Sequence, residues 1–130
     1  MGGGPDVLAA VAAGGALGSV ARWGLSWAIG PAGDRWPWAT FTVNVVGSLA
    51  LGALVVLLLG RWSGRRLARP FLAVGVLGGF TTFSTYALEG RHLLAEGSRA
   101  LAAAYLMGSV LAALLALALG GWLARRLVPA

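Results

Sequence analysis

Four runs of roughly twenty apolar residues, joined only by short connections, constrain this chain more than any single motif in it. They extend from Val7 to Ile29, from Trp38 to Gly60, from Pro70 to Leu88 and from Ala100 to Leu123. At ~1.5 Å of rise per residue the first run reaches about 34 Å as a helix, enough to cross the hydrocarbon layer of a bilayer. Inside lipid every backbone N–H and C=O must be satisfied within the protein, so runs of this length resolve into helices. The expectation is an all-α membrane protein: one four-helix transmembrane domain over residues 1–130, resident in the cell membrane. The connections, Gly30 to Pro37 with Asp34 and Arg35, Arg61 to Arg69, and Glu89 to Arg99, leave no room for a water-soluble domain. The first run is expected to stay in the mature protein, because no Arg precedes it and it is longer than a signal-peptide core.

Charge follows the same plan. Apolar residues make up 58% of the chain and charged residues 11%, and the charges gather between the apolar runs. A formal charge of +6 would suggest a nucleic-acid partner in a water-soluble domain. Here Arg61, Arg65, Arg66, Arg69, Arg125 and Arg126 flank apolar runs, where they act as topology and headgroup anchors, so no nucleic-acid partner is expected. With four spans, both termini and the second connection share one side. That side collects these arginines against Arg35, Arg91 and Arg99 on the other, and the positive-inside bias puts the termini in the cytoplasm. The bias is moderate and Arg22 lies within a span, so insertion in both orientations is compatible with it. Trp23, Trp27, Trp36, Trp38, Trp62 and Trp122 fall near span ends and are expected to be interfacial anchors. The chain has no Cys, and its one His, His92, sits in a connection away from any ligand cluster; catalysis is not expected.

Polar residues within the spans are costly in lipid and are therefore the functional candidates. They are Arg22, Thr40, Thr42, Asn44, Ser48, Thr81, Thr82, Ser84, Thr85, Tyr105 and Ser109. Glycines at helical spacing, Gly14 with Gly18 and Gly75 with Gly79, and the series Ala112, Ala116 and Gly120, predict close helix packing. The third span is unusual. Its stretch Gly75-Val-Leu-Gly78-Gly79-Phe80-Thr81-Thr82-Phe83-Ser84-Thr85-Tyr86 interleaves glycines and hydroxyls where a continuous apolar helix is required. Glycine pairs weaken helix and hydroxyls can satisfy freed backbone groups, which predicts a broken third helix buried in protein. Broken membrane helices expose carbonyls and N–H groups to ions.

Four blocks carry a resemblance to a known family: Gly14-Gly-Ala-Leu-Gly18-Ser-Val-Ala-Arg22-Trp23, Thr42-Val-Asn44-Val-Val-Gly47-Ser48, Gly78-Gly-Phe-Thr-Thr-Phe83-Ser-Thr-Tyr86 and Tyr105-Leu-Met-Gly-Ser109. In this order, over about residues 7 to 124, the chain resembles the Fluc family of small fluoride channels, also called CrcB. The resemblance implies an antiparallel, dual-topology dimer with two fluoride pores and a structural sodium ion on the two-fold axis. It assigns the sodium to the backbone carbonyls of Gly78 and Thr81, a donor type suited to a hard cation. It gives Phe83 and Tyr86 as the aromatic rings of the pore, with positive ring edges toward the anion. Ser84, Thr85, Tyr105 and Ser109 are implied as a hydroxyl track, Asn44 as the pore-lining amide, and Arg22 as a cation near the aqueous vestibule.

Two positions depart from the family pattern. Tyr86 stands where the second ring is usually Phe; its ring is expected to stay in place while its hydroxyl turns toward Asn44 or a vestibule water. Ala113 stands where a further hydroxyl would continue the line of Ser109. The function implied is passive, selective export of fluoride from the cytoplasm, protecting the cell from its toxicity. Two alternatives stay open. A small dual-topology multidrug cation antiporter has similar spans but needs a carboxylate within the membrane, and Asp6, Asp34, Glu89 and Glu96 are all expected outside the spans. A non-conducting partner subunit of a heterodimeric channel is favoured only if the Tyr86 and Ala113 departures close the pore. Whether the partner is a second copy or a related subunit is open at this point.

Overall fold

The protein is described here by a computed structural model covering residues 4–33 and 35–128; Asp34, expected in the first connection, lies outside the described residues. Among the described residues six helical segments follow one another: α1 (Pro5–Ile29), α2 (Trp38–Leu59), α3 (Arg69–Leu77), α4 (Gly78–Phe80), α5 (Ser84–Ala95) and α6 (Arg99–Leu127). α3 has the wider turns of a π-helix and carries Pro70, which has no N–H to donate, in its first turn. Four stretches are long and apolar enough to cross a bilayer: α1, α2, the Arg69–Ala95 stretch containing α3 to α5, and α6. The chain is a multi-pass membrane protein.

Pro5 opens α1 at a position whose N–H would have no helical partner, and Gly30, at φ 88°, closes it in a conformation that a side chain resists. The helices then pair: α1 lies along α3 and α4, α2 lies along α6, and α5 also packs on α6. Both principal seams are backbone against backbone. A Cβ on Gly14 or Gly18 would run into the carbonyls of Phe71 or Val76, and one on Gly52 or Gly120 into those of Leu117 or Leu49. In lipid there is no hydrophobic drive between apolar helices, so this close approach, with the dispersion contacts it gains, holds them together. Ala116 and Gly120 are buried in the α2–α6 seam, while Ala112 is only half-buried.

Large apolar side chains instead cover the outside, including Leu8, Leu17 and Val20 on α1 and Leu111, Leu114 and Leu115 on α6. The closed core is small. Its cluster is Leu93, Ala102 and Tyr105, with Trp36, Phe41 and Tyr86 packed against them, and Val43, Leu54, Ala116 and Ala124 are buried along the helix seams. Trp36 is therefore not the interfacial anchor expected from its place near a span end. Its ring meets Tyr105 edge-on with centroids 5.5 Å apart, and its Nε1 is buried without a hydrogen-bond partner. Trp23, Trp27, Trp38 and Trp122 are exposed, as an anchoring role requires.

The third apolar stretch runs beyond Leu88 to Ala95, so Glu89, expected in the connection, belongs to α5. A carboxylate usually marks the end of a span, but this one finds internal donors and need not reach water. At the arginine-rich end, Arg66 forms a two-pronged ion pair with Asp6, tying the start of α1 to the second connection.

Candidate functional site

Helical hydrogen bonding in the third stretch runs to Thr81, whose N–H donates to Leu77 O at 2.9 Å. The Thr81 hydroxyl donates to the same carbonyl at 2.8 Å. Thr81 itself is extended, at φ −79° and ψ 159°, so the chain leaves the helix there and re-enters it at Ser84. Asn44 of α2 holds this segment. Its Nδ2 donates to Thr82 O at 2.8 Å, and its Oδ1 accepts from Thr82 N–H at 2.9 Å. One side-chain amide thus satisfies both backbone groups of one residue, as a neighbouring strand would. Thr82 in turn caps α5: its Oγ1 accepts from Thr85 N–H at 3.2 Å and donates to Thr85 Oγ1 at 3.0 Å, with Ser84 Oγ at 3.4 Å.

These bonds release carbonyls. Thr82 N–H goes to Asn44 and not back to Gly78 O, and Thr85 N–H goes to Thr82 Oγ1 and not to Thr81 O. The Gly78 and Thr81 carbonyls, one helical turn apart, are therefore without their helical donors. Arg22 of α1 takes up one of them, donating from Nη1 to Thr81 O at 3.2 Å. A carbonyl oxygen has two lone pairs, so Thr81 O keeps one for a second donor or a cation. Two carbonyls are fewer than the six or more oxygens of a full calcium-type shell. Among the described residues, no group of three or more His, Cys, Asp or Glu is placed to bind a metal.

A cleft of about 370 Å³ lies beside the segment, lined by Asn44, Gly78, Thr81, Phe83, Tyr86 and Ser109 together with Ser48 and Ala113. Six of the expected pore and sodium residues thus share one surface, with the candidates Ser48 and Thr82 beside them. The Phe83 ring is 79% exposed, with its centroid 5.7 Å from that of Tyr86. Ser109 is buried, and its Oγ has no partner. Ala113, one turn further along α6, continues the wall as an apolar surface.

Four expected site residues lie elsewhere, and for two hydroxyls the direction differs from the expectation. Tyr105 is fully buried and donates to Glu89 Oε2 at 2.7 Å, so its hydroxyl is spent there and it does not line the cleft. Thr40 donates to the other oxygen, Glu89 Oε1, at 2.9 Å. Tyr86 donates to Leu106 O at 2.7 Å, turned away from Asn44 because α6 presents that carbonyl within reach. Ser84 is exposed and stays beside Thr82, while Thr85 joins Thr40, Glu89, Trp23 and Trp27 around a second cleft of about 500 Å³. Arg22 acts through the Thr81 carbonyl. Sequence reasoning missed Glu89 and underused Thr40. The available signal was their spacing from other polar residues: Glu89 lies one helical turn after Thr85 on α5.

The family model described as CrcB-like protein, Camphor Resistance (CrcB), matches residues 9–121. A Fluoride-specific ion channel FluC 2 from Nocardia farcinica is 52% identical over 93% of this chain and 86% of its own length. FluC 1 from Streptomyces coelicolor is 48% identical over 94% of this chain and 79% of its own. A FluC from Nitrobacter winogradskyi is 49% identical over 85% and 89%. With a family model spanning the clamped segment, the cleft and the glycine seams, this chain belongs to the CrcB family.

Proposed function

We propose that this protein is a fluoride-selective channel that lets fluoride leave the cytoplasm passively across the plasma membrane. The observation that carries the reading is the Asn44 clamp on Thr82, which holds the segment whose exposed Phe83 ring lines one cleft with Tyr86 and Ser109, the Ser109 hydroxyl lying unpartnered just behind that wall. A small anion that loses water in a narrow path needs donors in exchange, and positive ring edges and hydroxyls supply them without a fixed positive charge that would trap it. The relatives named as fluoride-specific channels support this assignment.

The channel works, in this reading, as an antiparallel dimer with the third helix broken at Thr81–Phe83. An open cleft, an exposed Phe83 and a two-carbonyl half cage at Gly78 and Thr81 are what a second copy would complete. A sodium ion held by these carbonyls from both copies would bring a fixed positive charge to the axis and set the two segments against each other. Arg22, already bonded to Thr81 O, orients that carbonyl and would add a second positive charge near such an ion.

Proteoliposomes loaded with fluoride or chloride test the function. Fluoride is expected to leave at least about a hundredfold faster, a difference of about 2.7 kcal/mol in barrier height; equal rates for the two halides would refute it.

One observation favours a second reading. Glu89 lies within the third apolar stretch, and a membrane carboxylate is what a proton-coupled cation antiporter needs. Its two oxygens are, however, each occupied by a hydroxyl donor, Thr40 and Tyr105, which suits a structural acceptor joining three helices. Proton-driven uptake of a cationic dye into the same vesicles would establish the antiporter instead.

The partner-subunit alternative turns on Tyr86. Its hydroxyl is spent on Leu106 O, leaving only the ring at the cleft, so it does not close the path. Tyr86→Phe is therefore expected to keep fluoride flux within about threefold of the parent, while loss of the hydrogen bond lowers stability by about 1 kcal/mol. A large rise in flux would mean that the phenol had been holding the anion.

A further inference from the structure

The arginine-rich end contains a feature that ion conduction does not use. Two grooves, of about 650 and 640 Å³, both open beneath Trp62, Arg65 and Arg66 in the second connection. One is floored by apolar side chains of α2, among them Val55 and Leu58, and bounded by Arg69. The other is floored by Phe71 and Leu72 of α3. We propose that this end binds one anionic diacyl phospholipid, its phosphate held by Arg65 and Arg69 and one acyl chain in each groove.

The two halves of the lipid find different chemistry. The Arg65 guanidinium lies 5.6 Å from the centre of the Trp62 ring, and this stacking restrains it while leaving its donors free. Arg69, like Arg65, is exposed. Of the three arginines that line the grooves, Arg66 is paired with Asp6, which leaves Arg65 and Arg69 as the groove-lining cations free to meet a phosphodiester. The groove floors are apolar and lie where the chain emerges from the bilayer. A water-soluble anion would leave them dry and unfilled, whereas acyl chains fill them. A cationic cap over paired apolar grooves thus matches an anionic two-tailed lipid more closely than a free anion or a zwitterionic headgroup.

Native mass spectrometry of the detergent-purified protein, titrated with phosphatidylglycerol, phosphatidylcholine or glycerol phosphate, tests the site. The full-length protein is expected to retain phosphatidylglycerol in preference to the other two. Arg65→Gln with Arg69→Gln should weaken that retention about 30-fold, the combined effect of two interfacial arginines. Arg35→Gln, in the first connection, should leave it unchanged, and thermal unfolding of each variant reports whether it is folded. Equal retention of phosphatidylcholine, an undiminished signal in the double variant, or equal binding of glycerol phosphate would each overturn the proposal, the last by pointing to a simple anion site. Fluoride flux measured on the same samples separates this result from the channel assignment, since a flux failure leaves lipid retention to be read independently.

Discussion

Replacing Phe83 by isoleucine is expected to reduce fluoride flux by about 10- to 100-fold, equivalent to about 1.4–2.7 kcal/mol on the barrier, while the protein assembles normally. The ring is 79% exposed in the single chain and contacts only Tyr86 among the aromatic groups, so little of the fold rests on it. Isoleucine keeps most of the apolar volume but has no quadrupole, and so presents no positive edge to an anion. The prediction therefore separates electrostatics from shape. Phe83→Tyr, which keeps the edge, is expected to retain flux. Liposome efflux together with size-exclusion elution gives both readings, and a fully conducting isoleucine variant would show that the ring does not face the ion.

Asn44→Ala is expected to have the largest structural effect. It strips partners from Thr82 N–H and Thr82 O together, and each unsatisfied group in a water-poor site costs about 1–3 kcal/mol. The cheapest repair is local. Thr82 N–H can turn back to Gly78 O, extending α4 by another residue and withdrawing that carbonyl from the proposed sodium site. Flux and any sodium dependence of stability should then disappear together, whereas Phe83→Ile should remove flux alone. Asn44→Asp keeps the acceptor for Thr82 N–H and loses the donor to Thr82 O, so its effect should fall between parent and alanine. Sodium-dependent thermal unfolding of the three proteins is the measurement, and an alanine variant that keeps the sodium response would show that the carbonyls are arranged without the clamp.

Glu89 marks the limit of reading charge along a chain. In the sequence it opens a connection of mixed charge, and the natural inference is that the span ends before it. In the fold its oxygens accept from Thr40 of α2 and Tyr105 of α6, so three separate apolar stretches meet at one carboxylate. Nothing local to residue 89 predicts either partner. The same holds for Trp36, whose place near a span end suggests an anchor but whose ring is held among Phe41, Tyr105 and Trp38.

By itself the sequence determined the four membrane-crossing stretches, because bilayer thickness converts run length directly into span count and short connections leave no alternative. It also marked the segment from Gly75 to Tyr86 as a weak helix, since glycine and hydroxyl residues act on the backbone within a turn or two of themselves. Glycine spacing likewise marked Gly14, Gly18 and Gly75 as packing positions. Only the tertiary structure decided where each polar side chain spends its hydrogen bonds: Asn44 on Thr82, Arg22 on Thr81 O, Tyr105 on Glu89 and Tyr86 on Leu106 O. The reason is range. Helix formation and membrane insertion are set by neighbours in sequence, whereas a hydrogen-bond partner within a helical bundle is set by which turn of another helix lies within about 3 Å, and that depends on the crossing geometry of all the helices at once.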